Sequence, residues 1–542
     1  MRRRDIAIGL AASLVFADAT IVTLALPNLL VDLHTTVYGV ASVLGVYTAA
    51  LACTALPAPL IVERLGFTRT GIGALCAFSL ASLACAVAGG VPLLLVARGV
   101  QGVAGALILT VAGAALAPPR REGRSWVLVG VLSTAAGPVI GGALTQAFSW
   151  RAIFVAQIPV PLVAAALYRT WSAIPPSAHV RPWSRLRSRP LLVLGLVSGA
   201  LTALLFGVVL LLVVGWAMRP LSAALAVTLV PIAAFAGSRV QGNPVTRVVV
   251  GCALIAGGIG ALAFLPTNDV VWLFAPECIA GVGMGLTLTP LLEDLLSERS
   301  YESRAGNLAV RYLGITLTLV ALAPVIAHDL DAATERAKLR TVAVVLDAPI
   351  SPGDKLSLAP KLVSAVHSDQ PLAAVRSAGR NARGSIKTNE RSSFDTMFNR
   401  VEDVFVAAAA DAFHRAFLIA AALAFLAALV LALEARRAAL VAAAGAVAVV
   451  GAQAIADHYA APKKVTIANP CRPRQVPNTG GLGGAAQTAV LRALDAAACR
   501  LGASREELVL ALADKKEADK FERRHGFNPR SLLGILHLIT GQ

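Results

Sequence analysis

Charge is scarce in this chain. Of its 542 residues only 15% are Asp, Glu, Lys or Arg, while 57% are hydrophobic. Soluble domains carry about 25% charged residues, so an ordinary soluble protein is excluded. The spacings that announce catalysis are missing as well. No C-x-x-C or related metal-ligand pattern occurs. The eight histidines are scattered, mostly outside the apolar runs, and no nucleophile–base constellation is recognisable. The glycine-rich stretch from Gly480 to Gly484 has no strand before it and no Lys-Ser/Thr after it, so it reads as a linker and not as a phosphate loop. Neither an enzyme nor a bound cofactor or metal is expected. The net charge of +17 would suggest nucleic acid in a soluble protein. Here the basic residues concentrate in loops, where the positive-inside rule wants them, and no nucleic-acid partner is expected.

What is present in quantity is the long apolar run. About 20 apolar residues in a helix cross the roughly 30 Å hydrocarbon core of a bilayer. Twelve such runs follow one another in two sets of six. Spans 1 to 6 are residues 5–30, 38–62, 70–88, 92–117, 126–148 and 153–171. Spans 7 to 12 are residues 191–214, 221–237, 248–265, 271–292, 305–327 and 412–433. The first run follows three arginines but is too long for a signal peptide and lacks a clear cleavage site. The chain therefore divides into an N-terminal half at 1–171, a cytoplasmic linker at 172–190 and a C-terminal half at 191–433. Within the second half, 328–411 is a polar insert too long for a plain connector. Counting spans from a cytoplasmic N-terminus places it outside the cell membrane.

A thirteenth run, alanine-rich and short for a span, occupies 438–456. The tail at 457–542 opens with a Pro/Gly-rich linker. Helical patterns follow at 487–501 and 504–513, the second headed by a capping box between Ser504 and Glu507. Asn528 and Pro529 start a last short helix. If the thirteenth run spans, the tail lies outside, and Cys471 and Cys499 are then candidates for a disulfide in an oxidising space. If it lies in the interface or forms a hairpin, they are two cytoplasmic thiols. The other cysteines, Cys53, Cys76, Cys85, Cys252 and Cys278, sit in apolar runs as small packing residues.

Polar residues inside the spans are costly and stand out. Asp18 lies in the middle of span 1. In span 4, Arg98, Gln101, Gly102 and Gly105 share one helix face. In span 5, Gly130, Thr134, Gly137 and Gly141 form a small-residue face, and Pro138 removes a backbone donor. The stretch from Arg98 to Leu107 aligns without a gap with Glu277 to Leu286, both carrying a glycine four residues in. That echo relates the halves as parallel repeats and puts Arg98 and Glu277 at equivalent places with opposite charge.

These residues carry a resemblance. Arg98, Gln101, Gly102 and Gly105 resemble the helix-four motif of the major facilitator superfamily. Gly130, Gly137, Pro138, Gly141 and Gly142 resemble the helix-five motif of its drug/proton antiporters. Trp150, Arg151, Phe154, Gln157 and Pro159 are similar to the segment that opens helix six there, and residues 17–27 to the first-helix motif. The loop with Glu63, Arg64, Gly66 and Arg69 resembles the superfamily's cytoplasmic gate, with Glu63 where an aspartate is usual and Pro59 where a glycine is expected. Asn307, Arg311 and Gly314 share a face of span 11 as in drug antiporters. Arg311 is either a gate residue or a snorkelling one.

The resemblance implies an all-helical polytopic fold of two six-helix halves around a cavity that opens alternately to each side. It implies export of small lipophilic or cationic compounds across the plasma membrane in exchange for protons, by a monomer whose partners are substrate, protons and bilayer. Burial in a low-dielectric cavity disfavours the charged form of a carboxylate, so Asp18 and then Glu277 are the candidate proton carriers, modulated by Arg98. Asp18 has a second reading as a packing acid bonded to a neighbouring helix. For the whole chain, two alternatives are an exporter of a lipid or cell-wall precursor and a transporter-like sensor that uses its exterior domains.

Overall fold

Inside hydrocarbon no water bonds the backbone, so a spanning chain must satisfy its amides within each segment. The computed structural model of the protein follows that rule. It describes residues 3–115, 137–168, 188–297 and 301–531, apart from 367, 369, 385, 475 and 477–479, and no strand occurs among them. The basic loop at 118–124, Gly130 and residues 172–187 of the linker lie outside that set.

Ten described helices are long and apolar enough to cross a membrane, and eleven with the bent pair Gly9–Thr23 and Leu26–Asp32. These correspond to spans 1 to 4 and 7 to 13. Span 6 is the shorter apolar helix Arg151–Leu167, and only residues 137–147 of span 5 are described as helix. The bend in span 1 is 55°. Pro27, at the start of the second piece, lacks the N–H that would continue the ladder. Span 2 is broken in the same way into Val37–Ala55 and Ala58–Leu65 around Pro57.

The expected ends of spans 11 and 12 differ from the observed ones. Span 11 runs on as one helix, Tyr301–Asp347, and span 12 begins far upstream in Arg391–Ala432. Loss of hydropathy near residue 328 marks where apolar surface stops, not where the helix stops. The continuation is rich in alanine, is laced by the Lys338–Glu335 pair at 2.8 Å, and meets no proline until Pro349.

The chain forms two compact units. The first comprises residues 1–214, 218–328 and 413–461, which hold all the spans. Its two halves meet directly: the Thr48 and Thr316 hydroxyls are 2.8 Å apart. The thirteenth helix, Arg436–Ala460, packs on two glycines of span 9, Ala446 against Gly257 and Val450 against Gly260. Its Leu440, Val441 and Val447 are exposed, as suits a lipid-facing surface.

The second unit comprises residues 215–217, 329–412 and 462–542, so the insert and the tail fold together. Its tail helices are Gly481–Arg500, Arg505–Ala513 and Lys515–His525. They close a small core of Ala498, Leu508, Ala511 and Phe521. The expected capping box on Ser504 is present. Lys515–His525 was not expected. It is highly charged and buries Ala518 and Phe521, too few apolar positions to show a period. Ion pairs join insert to tail: Arg505 Nη2 to Asp347 at 2.7 Å and Lys520 to Glu335 at 3.0 Å.

Candidate functional site

A lone charge within a membrane bundle needs a partner from another helix. The N-terminal half supplies one. Arg98 and Asp18 are both fully buried, and Arg98 Nη1 donates to Asp18 Oδ2 at 2.7 Å. The other carboxylate oxygen accepts from Gln157 Nε2 at 2.8 Å. Arg98 Nη1 also donates to Gln101 Oε1 at 2.9 Å, one helical turn away, and Nε donates to the Val43 carbonyl at 3.3 Å. Gln101 Nε2 donates in turn to Ser82 Oγ at 2.7 Å and Gln157 Oε1 at 3.3 Å. The guanidinium lies 4.2 Å from the Tyr47 ring centroid, a cation–π distance. Five helices, spans 1, 2, 3, 4 and 6, thus meet at one polar cluster. Arg98 Nη2 has no hydrogen-bond partner in it.

Residues that the sequence reading did not single out complete this cluster. Gln157 belongs to the span-6 resemblance, and Ser82 and Tyr47 belong to no motif. The available signal was polarity: an amide at 157 and a hydroxyl at 82 interrupt otherwise apolar runs.

The equivalent position in the C-terminal half is different. Glu277 is fully buried in the helix Val271–Ser297, one residue after Pro276. Among the described residues both of its carboxylate oxygens lack a hydrogen-bond partner. The packing around the two positions does correspond. A Cβ on Gly102 would collide with the Tyr47 carbonyl oxygen of span 2, and one on Gly281 with the Val230 carbonyl oxygen of span 8. Span 4 therefore lies on span 2 as span 10 lies on span 8, glycine against backbone.

The described glycines of the span-5 motif work by the same close approach. Gly137 faces Thr20 and the Ala17 carbonyl, and Gly141 faces the Ile21 carbonyl, all on span 1. Gly142 faces Ala224 and Pro220 at the start of span 8 in the other half. Pro138 lines a central cavity of about 90 Å³.

That cavity is lined by residues of both halves. Phe16, Ala19, Thr20 and Thr23 of span 1 face Ser198, Thr202, Met284 and Leu319 of the second half. Its walls are apolar with a few hydroxyls. Among the described residues its one charged lining side chain is Arg311, which stands 5.4 Å from the Phe16 ring centroid. Asp18 points the other way, into the N-terminal cluster, and is not in the lining.

The other expected gate residues lie apart. Glu63, Arg64 and Arg69 are exposed and make no ion pair among the described residues, with one another or with Arg311. Gly66 ends the helix Ala58–Leu65 at φ +83°, a conformation that favours glycine. At the other end of the N-terminal half, Trp150 Nε1 donates to Asp32 Oδ2 at 2.9 Å and Arg151 Nη2 to the Ala88 carbonyl at 3.1 Å. In the second unit, Cys471 and Cys499 form a disulfide. It ties the linker to the helix Gly481–Arg500.

A family model described as Major Facilitator Superfamily matches residues 8–328, more than half of the chain. The Multidrug resistance protein B homolog of Mycobacterium tuberculosis is 37% identical over 164 residues, 29% of this chain and 30% of that protein. The Tetracenomycin C resistance and export protein of Streptomyces glaucescens is 33% identical over 165 residues, 29% of this chain and 31% of that one. The matched stretches thus span about a third of the length of these curated relatives. Among solved structures, a bacterial homologue of the human lysosomal transporter Spinster, inward-facing and unoccupied, is 16% identical with a TM-score of 0.48, covering 79% of this chain and 98% of that one.

Proposed function

Because this chain belongs to the major facilitator superfamily, and is thereby a multi-pass membrane transporter and not an enzyme, we propose that it exports small lipophilic compounds in exchange for protons. The observation that carries this reading is the Asp18–Arg98 pair, fully buried at 2.7 Å on a helix whose neighbouring residues line the central cavity.

Span 1 is the shared element. One face offers Asp18 to Arg98 and Gln157; the other offers Phe16, Ala19, Thr20 and Thr23 to the cavity. A proton arriving on Asp18 cancels half of a buried ion pair. Arg98 then retains Gln101 and the Val43 carbonyl, on its own helix and on span 2, while its hold on span 1 weakens. The position of span 1 thereby depends on the proton, and the cavity wall moves with span 1. Such linkage between two faces of one helix is what exchange requires. Glu277 is the second candidate carboxylate in this scheme.

The cavity's chemistry bears on the substrate. Apolar walls with scattered hydroxyls suit a lipophilic molecule with a few acceptors. An inward-facing Arg311 disfavours a cation, so the lipophilic member of the expected pair is preferred to the cationic one. The working species is taken as a single chain in the cell membrane.

The thirteenth span also finds support. Span counting places 215–217, 329–412 and, if helix Arg436–Ala460 crosses, 462–542 on one side. These are the three segments that make up the second unit. We take that unit to be extracytoplasmic, where the Cys471–Cys499 bond persists.

Inverted membrane vesicles with a pH-sensitive dye and a panel of neutral, anionic and cationic lipophiles test the proposal. Addition of a neutral lipophile should release protons from an acidified interior and drive accumulation. Accumulation that ignores the pH gradient, or no flux for any compound, would sink it.

A further inference from the structure

A second cavity, larger than the central one, lies outside the transport core. It is a cleft of about 630 Å³ inside the second unit, seven-fold the size of the central cavity and within the roughly 300–1,000 Å³ range of small-molecule sites. Insert and tail build it together. One wall is the end of helix Tyr301–Asp347, the second is the start of helix Arg391–Ala432, and the third is the extended segment 462–466.

Its charges do not balance. Arg340, Arg400, Lys463 and Lys464 line it, against Asp347 and Asp403. Asp347 is engaged by Arg505 at 2.7 Å, and Lys464 by Asp411 at 3.2 Å. That leaves Arg340, Arg400 and Lys463 facing Asp403 alone, none of them in an ion pair among the described residues. Two guanidiniums are suited to bidentate recognition of carboxylate or phosphate, and a flanking ammonium adds charge without fixed geometry. Ser393 and Thr466 add hydroxyl donors to the lining. Val344, Met397 and Val404 are buried side chains that give the cleft an apolar floor.

We infer that the second unit carries a binding cleft of its own, for an organic anion with a phosphate or carboxylate group on an apolar body. Arg340, Arg400 and Lys463 hold the anionic group, and Val344, Met397 and Val404 hold the body. The anion can come from an anionic lipid headgroup or from a soluble organophosphate. The site lies wholly within the second unit, so it stands or falls independently of proton coupling in the spans.

The test is titration of the purified full chain in detergent with hexyl phosphate, and separately native mass spectrometry from nanodiscs containing phosphatidylglycerol. Wild type should bind at least one of these probes, and hexanol at least tenfold more weakly than hexyl phosphate. Arg340→Gln with Arg400→Gln should weaken binding at least tenfold. Arg383→Gln should leave it unchanged, because that residue pairs with Asp395 outside the cleft. If the double variant loses its fold, Ser393→Asp places a like charge in the lining without touching the guanidiniums and should weaken binding likewise. Binding of hexyl phosphate assigns a soluble ligand, and retention of phosphatidylglycerol alone a lipid one. No binding of either by wild type, or binding that survives both sets of variants, overturns the inference.

Discussion

Positions 98 and 277 occupy equivalent places in the two halves, and the protein treats them in opposite ways. Arg98 has a carboxylate, an amide, a backbone carbonyl and an aromatic face around it. Glu277 is equally buried, and its carboxylate has no hydrogen bond among the described residues. Around both, the backbone packing is the same, a glycine laid on a carbonyl of the neighbouring helix. The repeat thus fixes how helices lie together and leaves the buried polar chemistry free to differ. A partnered charge constrains several helices at once. An unpartnered one ties no helix to another.

The comparison breaks most severely at its partnered side. Arg98→Ala leaves Asp18 with Gln157 alone, and removing one member of a buried pair costs about 3–5 kcal/mol. Loss of gradient-driven export is expected, with a clear fall in melting temperature in detergent. Asp18→Asn combined with Arg98→Gln should recover much of the melting temperature but none of the coupling. Full export by Arg98→Ala would remove the cluster from the mechanism.

The packing common to both halves gives the next effect. Gly102→Leu and Gly281→Leu should be similarly disruptive, each by about 1–3 kcal/mol or more, because each drives a side chain into a backbone. Gly141→Leu should act in the same way between spans 5 and 1 and leave export leaky or stalled. Melting curves and vesicle flux check all three. Wild-type behaviour in Gly281→Leu with a defect in Gly102→Leu would mean that the halves are not packed alike.

A third buried charge, outside the spans, sharpens the comparison at small amplitude. Lys355 lies in the insert helix Pro352–Val366 and donates to the Leu346 carbonyl at 2.7 Å. Burial pushes its amine down to about 8, with Arg505 adding to the fall and Asp347 opposing it. The depressed value fixes the sign. Between about 8 and the ordinary lysine value the unfolded chain holds the proton and the folded one does not. Stability of the second unit should therefore rise with pH across that window. The penalty is present in full below it. Hydrogen exchange over 352–366 from pH 7 to 10, scaled for intrinsic rate, should show that rise, and Lys355→Met should flatten it. A fall in protection across the window would contradict the burial.

The spans and their charges were legible in the sequence for a simple reason. Ionisable residues in apolar runs are conspicuous, so Asp18, Arg98 and Glu277 could be named, and the helix-five glycines with them. That Asp18 and Arg98 pair was not legible, since the partners are 80 residues apart and nothing local links them. The place of Arg311 in the cavity lining was also hidden: a residue near a span end reads as a gate or as a snorkel until the opposite half is in place. The insert and tail were legible as separate helices, but not as one unit, because the ties between them are charged pairs such as Lys520 with Glu335. Surface charges carry no pattern that says which distant residue they will meet.

The central claim is that coupling resides in the partnered acid of the first half. It is tested most directly by Asp18→Asn and Glu277→Gln assayed side by side in proteoliposomes, with substrate uptake followed as the imposed pH gradient is varied. The account predicts that uptake by Asp18→Asn no longer responds to the gradient, while Glu277→Gln retains a reduced response. A normal response in Asp18→Asn together with none in Glu277→Gln would contradict it and move proton coupling to the second half.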